Sequence, residues 1–143
     1  MKLLTKEFFF PIKANYNYYF ISPMIMLTLI LSMWLIYPFN LNLFNFNLNS
    51  LYMLCLMSMG VYGLMMAGWS SNSCFSMLGS IRSIAQSISY EVTFSISLLL
   101  NLFMVNSLNL SNIFMLQKYT WLLFFLWPSS IILLMSMLAE LNR

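Results

Sequence analysis

GWSSNSCFSMLGSIRSIAQSISYEV, residues 68–92, sets serines, an arginine, a glutamine and a glutamate at the opening of an otherwise oily helix. Arg82, Gln86, Tyr90 and Glu91 fall between apolar residues, and Glu91 leads into the apolar run at residues 92–100. Glu91 is therefore an ionisable side chain inside a candidate membrane span. A charge at the centre of such a helix costs about 2.5–3.5 kcal/mol on the translocon scale, so it usually faces a bundle interior or a hydrated path. The rest of the chain has the composition of a scaffold that would hold this stretch in a bilayer.

Of the 143 residues, 62% are hydrophobic and only 6% charged, against roughly 25% charged in a soluble domain. That ratio identifies a membrane protein. There is no His and no Asp, and the acids are Glu7, Glu91 and Glu140. Metal sites need clustered His, Cys or carboxylates and haem usually needs axial His, so the sequence offers no metal site and no cofactor site. Cys55 and Cys74 stand apart without CxxC spacing and read as small packing residues. A net charge of +3 spread thinly over so apolar a chain excludes a nucleic-acid surface. The start, MKLLTKEFFF, is neither a cleavable signal peptide nor an Arg- and Ser-rich transit sequence. For an organellar protein the expectation is then synthesis inside the organelle, which the bias towards Phe, Leu, Ile, Met, Asn, Ser and Tyr also suits.

Hydrophobic runs predict an all-α fold of four transmembrane helices at residues 18–37, 51–69, 77–105 and 119–138, in one membrane domain that belongs to a larger bundle. About 20 residues of helix give roughly 30 Å, enough for a bilayer core. Residues 1–17 carry Lys2, Lys6 and Lys13 among large apolar groups, which fits either an interfacial segment or a plain basic flank. Tyr18, Tyr19 and Trp34 suit the aromatic belts, and Pro23 marks a kink or a late helix start. Residues 39–49 read as an Asn-rich connector, with a β-strand as the alternative. Gly60 and Gly63 are expected at a close helix contact. Residues 70–76 form a polar turn, residues 106–117 a further connector, and Pro128 interrupts the fourth span. Basic residues gather on one side of such a topology, Lys2, Lys6, Lys13, Arg82 and Arg143 against Lys118, so both termini belong on the synthesis side.

Along the third helix Arg82, Gln86 and Tyr90 form one stripe and Ser80, Ser83, Ser87, Glu91 and Ser95 another. Nine residues put Glu91 about 13–14 Å deeper than Arg82 and about half a turn round, too far for a direct pair. Hydroxyls on its own face suit Glu91 to holding water, and desolvation moves a buried carboxyl towards proton exchange. The bland alternatives stay open: Glu91 bonds a neighbouring helix, Glu140 is a solvated helix end, and Arg82 snorkels.

MKLLTKE at residues 1–7, AGWSSNS at 67–73, LGSIRSIAQSISYEVT at 78–93 and LAELNR at 138–143, with the spacing between them, resemble subunit 1 of respiratory complex I, NADH:ubiquinone oxidoreductase. The resemblance runs through essentially the whole chain and implies the second to fifth of about eight helices in that subunit. It implies a mitochondrial inner-membrane location with both termini in the matrix, and a split gene whose missing parts come from other chains, a truncated product being the alternative. It also implies part of the tunnel that admits ubiquinone as substrate and the start of a charged path to proton-pumping subunits. Glu91 and Glu140 would lie on that path, and Arg82, Gln86, Arg143, Lys2, Lys6 and Glu7 along the tunnel. The family commonly has Thr where this chain has Leu141, which removes a hydroxyl beside Glu140. No catalytic residue, cofactor or metal is expected in this chain; FMN and iron–sulfur clusters would sit in partner subunits of the complex. The rival readings are a membrane anchor of an energy-converting hydrogenase, a stand-alone four-helix ion transporter, and a remnant retained for assembly.

Overall fold

The computed structural model describes residues 1–7, 9, 11–37, 46–118 and 121–141, and among these there are helices and turns but no strand. α1 spans Tyr16–Met33 and runs on through one 3₁₀ turn, Trp34–Ile36. α2 spans Asn49–Ser70 and α3 Cys74–Phe103, followed by α4, Leu110–Gln117, the single turn α5, Leu122–Phe125, and α6, Trp127–Leu141. The main packings pair α1 with α2, α2 with α3 and α3 with α6, so the long helices form an up-and-down row.

The helix ends differ from the predicted spans for local reasons. α1 starts at Tyr16, upstream of Pro23, so Pro23 lies inside the helix and does not delay its start. Proline cannot donate to the carbonyl one turn back, and the Ser22 hydroxyl donates to that Tyr19 carbonyl instead, at 3.1 Å. The polar turn shrinks to residues 71–73, because Ser73 caps α3 by accepting from the Ser76 N–H at 3.4 Å. Two thirds of the expected connector at 106–117 is α4, begun by Asn109, whose side chain accepts from the Ser111 N–H at 3.1 Å. The fourth span is broken at Leu126 (φ −120°, ψ 34°), with Pro128 in the first turn of the new helix, where its missing N–H costs nothing. Most of the Asn-rich connector, residues 39–45, lies outside the described residues, and so does the strand alternative for it.

Burial is inverted relative to a soluble protein. The buried apolar residues are Ile36, Val61, Phe94 and Leu102, whereas the buried polar ones are Ser22, Asn49, Ser50, Ser70, Ser87, Ser97 and Ser136. Small side chains let helices approach closely in lipid. Most of these serines dispose of the proton within their own helix: Ser87 donates to the Ile84 carbonyl at 2.9 Å, Ser97 to Phe94 at 2.9 Å and Ser136 to Leu133 at 2.8 Å, whereas Ser50 donates across to the Leu108 carbonyl at 2.8 Å. The large apolar side chains point outward instead, Trp34 at 64% exposure and Phe103 at 78%. Two stretches, Tyr16–Ile36 and Asn49–Ser70, are long and apolar enough to cross a membrane, with mean hydropathies of 2.0 and 1.6. Only 11% and 22% of them is buried, which sets them apart from the core helices of a soluble domain. α6 is apolar but shorter, and together these elements make a membrane helix bundle.

Glycines locate the closest contacts. A Cβ at Gly63 would fall on the Met26 side chain of α1, and one at Gly68 on the Ser80 side chain of α3. Gly60, expected at a contact, meets nothing within 4 Å among the described residues. A helical turn carries Gly60 and Gly63 to faces about 60° apart, and spacing alone does not say which of them meets the partner.

Candidate carboxylate site on the third helix

One end of the bundle gathers the N-terminal segment, the α2–α3 turn and the start of α3. The Asn15 N–H donates to the Ser70 carbonyl at 2.9 Å, and the Asn72 side-chain amide donates to the Lys13 carbonyl at 3.1 Å. Asn72 adopts a positive φ of 49°, a left-handed geometry that Asn tolerates best after Gly. Ser71 and Ser73 both bond the Ser76 hydroxyl, and the Ser71 hydroxyl also donates to the Gly68 carbonyl at 2.8 Å. This hydroxyl net ties the end of α2 to the start of α3. Lys2, Lys6 and Glu7 are exposed.

From that end the register of α3 follows. Ser80 packs against Gly68 of α2, and Glu91, eleven residues on, lies about 16 Å deeper and within about 20° of the same azimuth. Glu91 thus shares the α2-facing strip with buried Ser87 and is itself half-buried. Arg82 and Gln86 lie across the helix from it, both exposed. The structure therefore separates Arg82 and Gln86 from Glu91, as the half-turn spacing requires.

The contact between α3 and α6 carries a side-chain bond: the Ser129 hydroxyl donates to the Asn101 side-chain oxygen at 2.6 Å and to the Leu126 carbonyl at 2.9 Å. Counting from this bond, Glu91 is about 15 Å back along α3 and Glu140 about 16 Å along α6, so the two carboxylates stand at nearly one level on neighbouring helices. Buried Ser136 and Phe94 fall level with each other by the same count, as a packed seam requires. Glu140 projects within about 20° of the α3-facing azimuth of Ser129 and is half-buried. Arg143 lies outside the described residues.

Along α3 the flank of Arg82, Gln86, Ser89 and Thr93 is exposed although it belongs to a 30-residue helix in an apolar bundle. Polar groups left bare there would be costly against lipid, so this flank suits protein or water. Among the described residues no three His, Cys, Asp or Glu come together as metal ligands, and Cys55 and Cys74 are separate free thiols. Asn101 and Ser129 were not foreseen as site-forming; the only signal for them was a single amide inside the run LLLNLF, residues 98–103.

A family model described as NADH dehydrogenase matches residues 1–143. The chain is 45% identical over its full length to NADH-ubiquinone oxidoreductase chain 1 of Aedes aegypti and 44% identical to that of Anopheles gambiae, in each case covering 46% of the relative. It is 43% identical to the chain 1 protein of Balaenoptera physalus, of which it covers 45%. The chain spans a little under half the length of the curated relatives it matches. A match of this extent and identity, over the same residues that form the α3 site, shows that the chain belongs to the NADH dehydrogenase family of membrane subunits.

Proposed function

We propose that the chain works as a membrane segment of NADH:ubiquinone oxidoreductase, respiratory complex I, in the mitochondrial inner membrane. In this reading α1, α2, α3 and the α5–α6 pair make four crossings, and the N-terminal segment, the α2–α3 turn and the end of α6 face the matrix. The observation that carries it is the pair of half-buried carboxylates, Glu91 and Glu140, level on adjacent helices of a chain whose family is that of chain 1 proteins.

Ionisable side chains inside a membrane bundle mark ion or proton pathways by default, and two of them level on adjacent helices give such a path successive stations. Reduction of ubiquinone adds two electrons and takes up two protons, and the charge that develops before protonation changes the field on that path. Glu91, with Ser87 and Ser95 on its side of α3, would receive the response, and Glu140 would relay it towards the pumping subunits. Arg82 and Gln86, on the exposed flank of α3, would border the ubiquinone tunnel together with Lys2, Lys6, Glu7 and Arg143. FMN and iron–sulfur clusters would reside in partner subunits and deliver the electrons; the remaining segments of subunit 1 would cover the exposed flank.

Isolation of the native assembly tests the reading. Mass spectrometry of the purified, detergent-solubilised complex should find this chain together with polypeptides of an NADH-oxidising module, in particles that reduce ubiquinone. Recovery of the chain alone or as a small homo-oligomer would refute it, and recovery with hydrogenase polypeptides would move it to the anchor role.

A further inference from the structure

The two stretches long and apolar enough to cross a membrane meet at one level. α1 begins at Tyr16 beside the end of α2 at Ser70, and the Asn15 N–H closes the pair by donating to the Ser70 carbonyl at 2.9 Å. A cavity of 300 Å³ lies at this closure, lined by Asn15, Tyr18, Met66, Trp69 and Ser70. Each lining residue is within about one turn of a helix end, so the cavity sits where hydrocarbon gives way to headgroups. Tyr18 and Trp69 are 58% and 64% exposed, as members of an interfacial aromatic belt are.

The rim is rich in hydrogen-bond donors. Trp69 brings an indole N–H, which can only donate, Tyr18 a phenol, and Asn15 a side-chain amide that makes no capping bond. Ser70 adds none, because its hydroxyl donates to the Ala67 carbonyl at 3.1 Å. Lys13 is exposed and stands two residues before Asn15, and its carbonyl accepts from the Asn72 amide at 3.1 Å, which pins it to the end of the α2–α3 turn. From that anchor a flexible four-carbon stem carries the ammonium to the rim. The surrounding charge has the same sign: residues 1–18 hold Lys2, Lys6 and Lys13 against Glu7 alone. Below the rim Met66 offers an apolar wall.

We propose that this cavity binds the headgroup of an anionic phospholipid, whose phosphate oxygens accept from Lys13, Asn15, Tyr18 and Trp69 while an acyl chain descends past Met66. Ligand pockets run from about 300 to about 1,000 Å³, so this one holds a phosphate with its glycerol and leaves the chains in the bilayer. A lipid seated there braces the Asn15–Ser70 closure of α1 on α2. The matrix leaflet follows from the orientation proposed above; the site itself does not depend on it.

The test uses the native assembly in nanodiscs. Two photoactivatable lipids carrying the crosslinker beside the headgroup, a phosphatidylglycerol and a phosphatidylcholine, are compared in one fixed lipid background, and the labelled residues are read by mass spectrometry. One lysine near the headgroup plane is worth about fivefold in the binding of an anionic lipid. The phosphatidylglycerol probe should therefore label Tyr18, Met66 or Trp69 about fivefold more than the phosphatidylcholine probe. Lys13→Gln should abolish that preference and Lys13→Arg should keep it. Salt decides the case if Lys13→Gln fails to assemble: about 1 M salt shortens the screening length to about 3 Å, and the preference of the native assembly should fall. Equal labelling by the two probes makes the cavity an ordinary boundary-lipid contact and overturns the proposal. A preference that survives both Lys13→Gln and high salt overturns it too, and so does loss of labelling on adding excess ubiquinone, which would give the cavity to the quinone. The readout is labelling and not turnover, so its failure leaves the complex I reading standing.

Discussion

Replacing Gly68 by alanine will wedge α2 from α3. The added Cβ would land on the Ser80 side chain, and part of what it meets is the Ser80 Cβ, which is fixed to the α3 backbone and has no rotamer to escape into. Forcing a methyl into a close contact costs about 1–3 kcal/mol, offset by the roughly 1 kcal/mol that alanine gains over glycine in a helix. The net, about 0–2 kcal/mol, corresponds to local opening up to about 30 times more frequent, since each 1.4 kcal/mol is tenfold. Amide hydrogen exchange of the intact assembly, followed by mass spectrometry on peptides covering residues 64–84, reads this directly. Two comparisons sharpen it. At Gly63 the new Cβ meets the Sδ and Cγ of Met26, the far part of a flexible side chain, so Gly63→Ala should cost little. Gly60 meets nothing within 4 Å among the described residues, so Gly60→Ala should exchange more slowly than the native chain. Ser80→Gly on the Gly68→Ala background should restore protection. Equal effects at Gly60 and Gly68, or no rescue by Ser80→Gly, would refute the packing argument.

Asn72 makes a second prediction: Asn72→Gly keeps the left-handed backbone but removes the bond to the Lys13 carbonyl, so tryptic cleavage after Lys13 should speed up several-fold, and an unchanged rate would show that the tether does not hold the segment. A third concerns the two free thiols. Cys55 lies within the apolar stretch of α2 and Cys74 opens α3 at the polar end, so a membrane-impermeant maleimide should label Cys74 from the matrix face and leave Cys55 unmodified, whereas labelling of Cys74 only from the opposite face would reverse the proposed orientation.

The helical class was legible because runs of about 20 apolar residues have few other solutions. Element ends were less so, since they depend on single side chains that hydropathy averages away: Ser73 starts α3, Asn109 starts α4, and Ser22 covers the carbonyl that Pro23 leaves unpaired. Glu91 stood out in the sequence as an acid in an oily helix, and helical spacing correctly separated it from Arg82. What spacing along one helix cannot give is register between two. That Glu140 stands level with Glu91 depends on the Asn101–Ser129 bond, which joins residues 28 apart across a broken connection. Gly60 meets no neighbour among the described residues for the same reason: a small residue permits a contact, but its neighbour decides whether one forms.

The most direct measurement of the central claim is proton translocation by the reconstituted complex carrying Glu91→Gln, at matched NADH oxidation by a bypassing acceptor. Assembly and acceptor activity should be normal, with ubiquinone reduction and proton pumping lowered about tenfold or more, a loss of about 1.4 kcal/mol at the coupling step. Native pumping by a fully assembled Glu91→Gln complex would contradict it, and would leave Glu91 as a hydrogen-bonding residue of the α2–α3 contact.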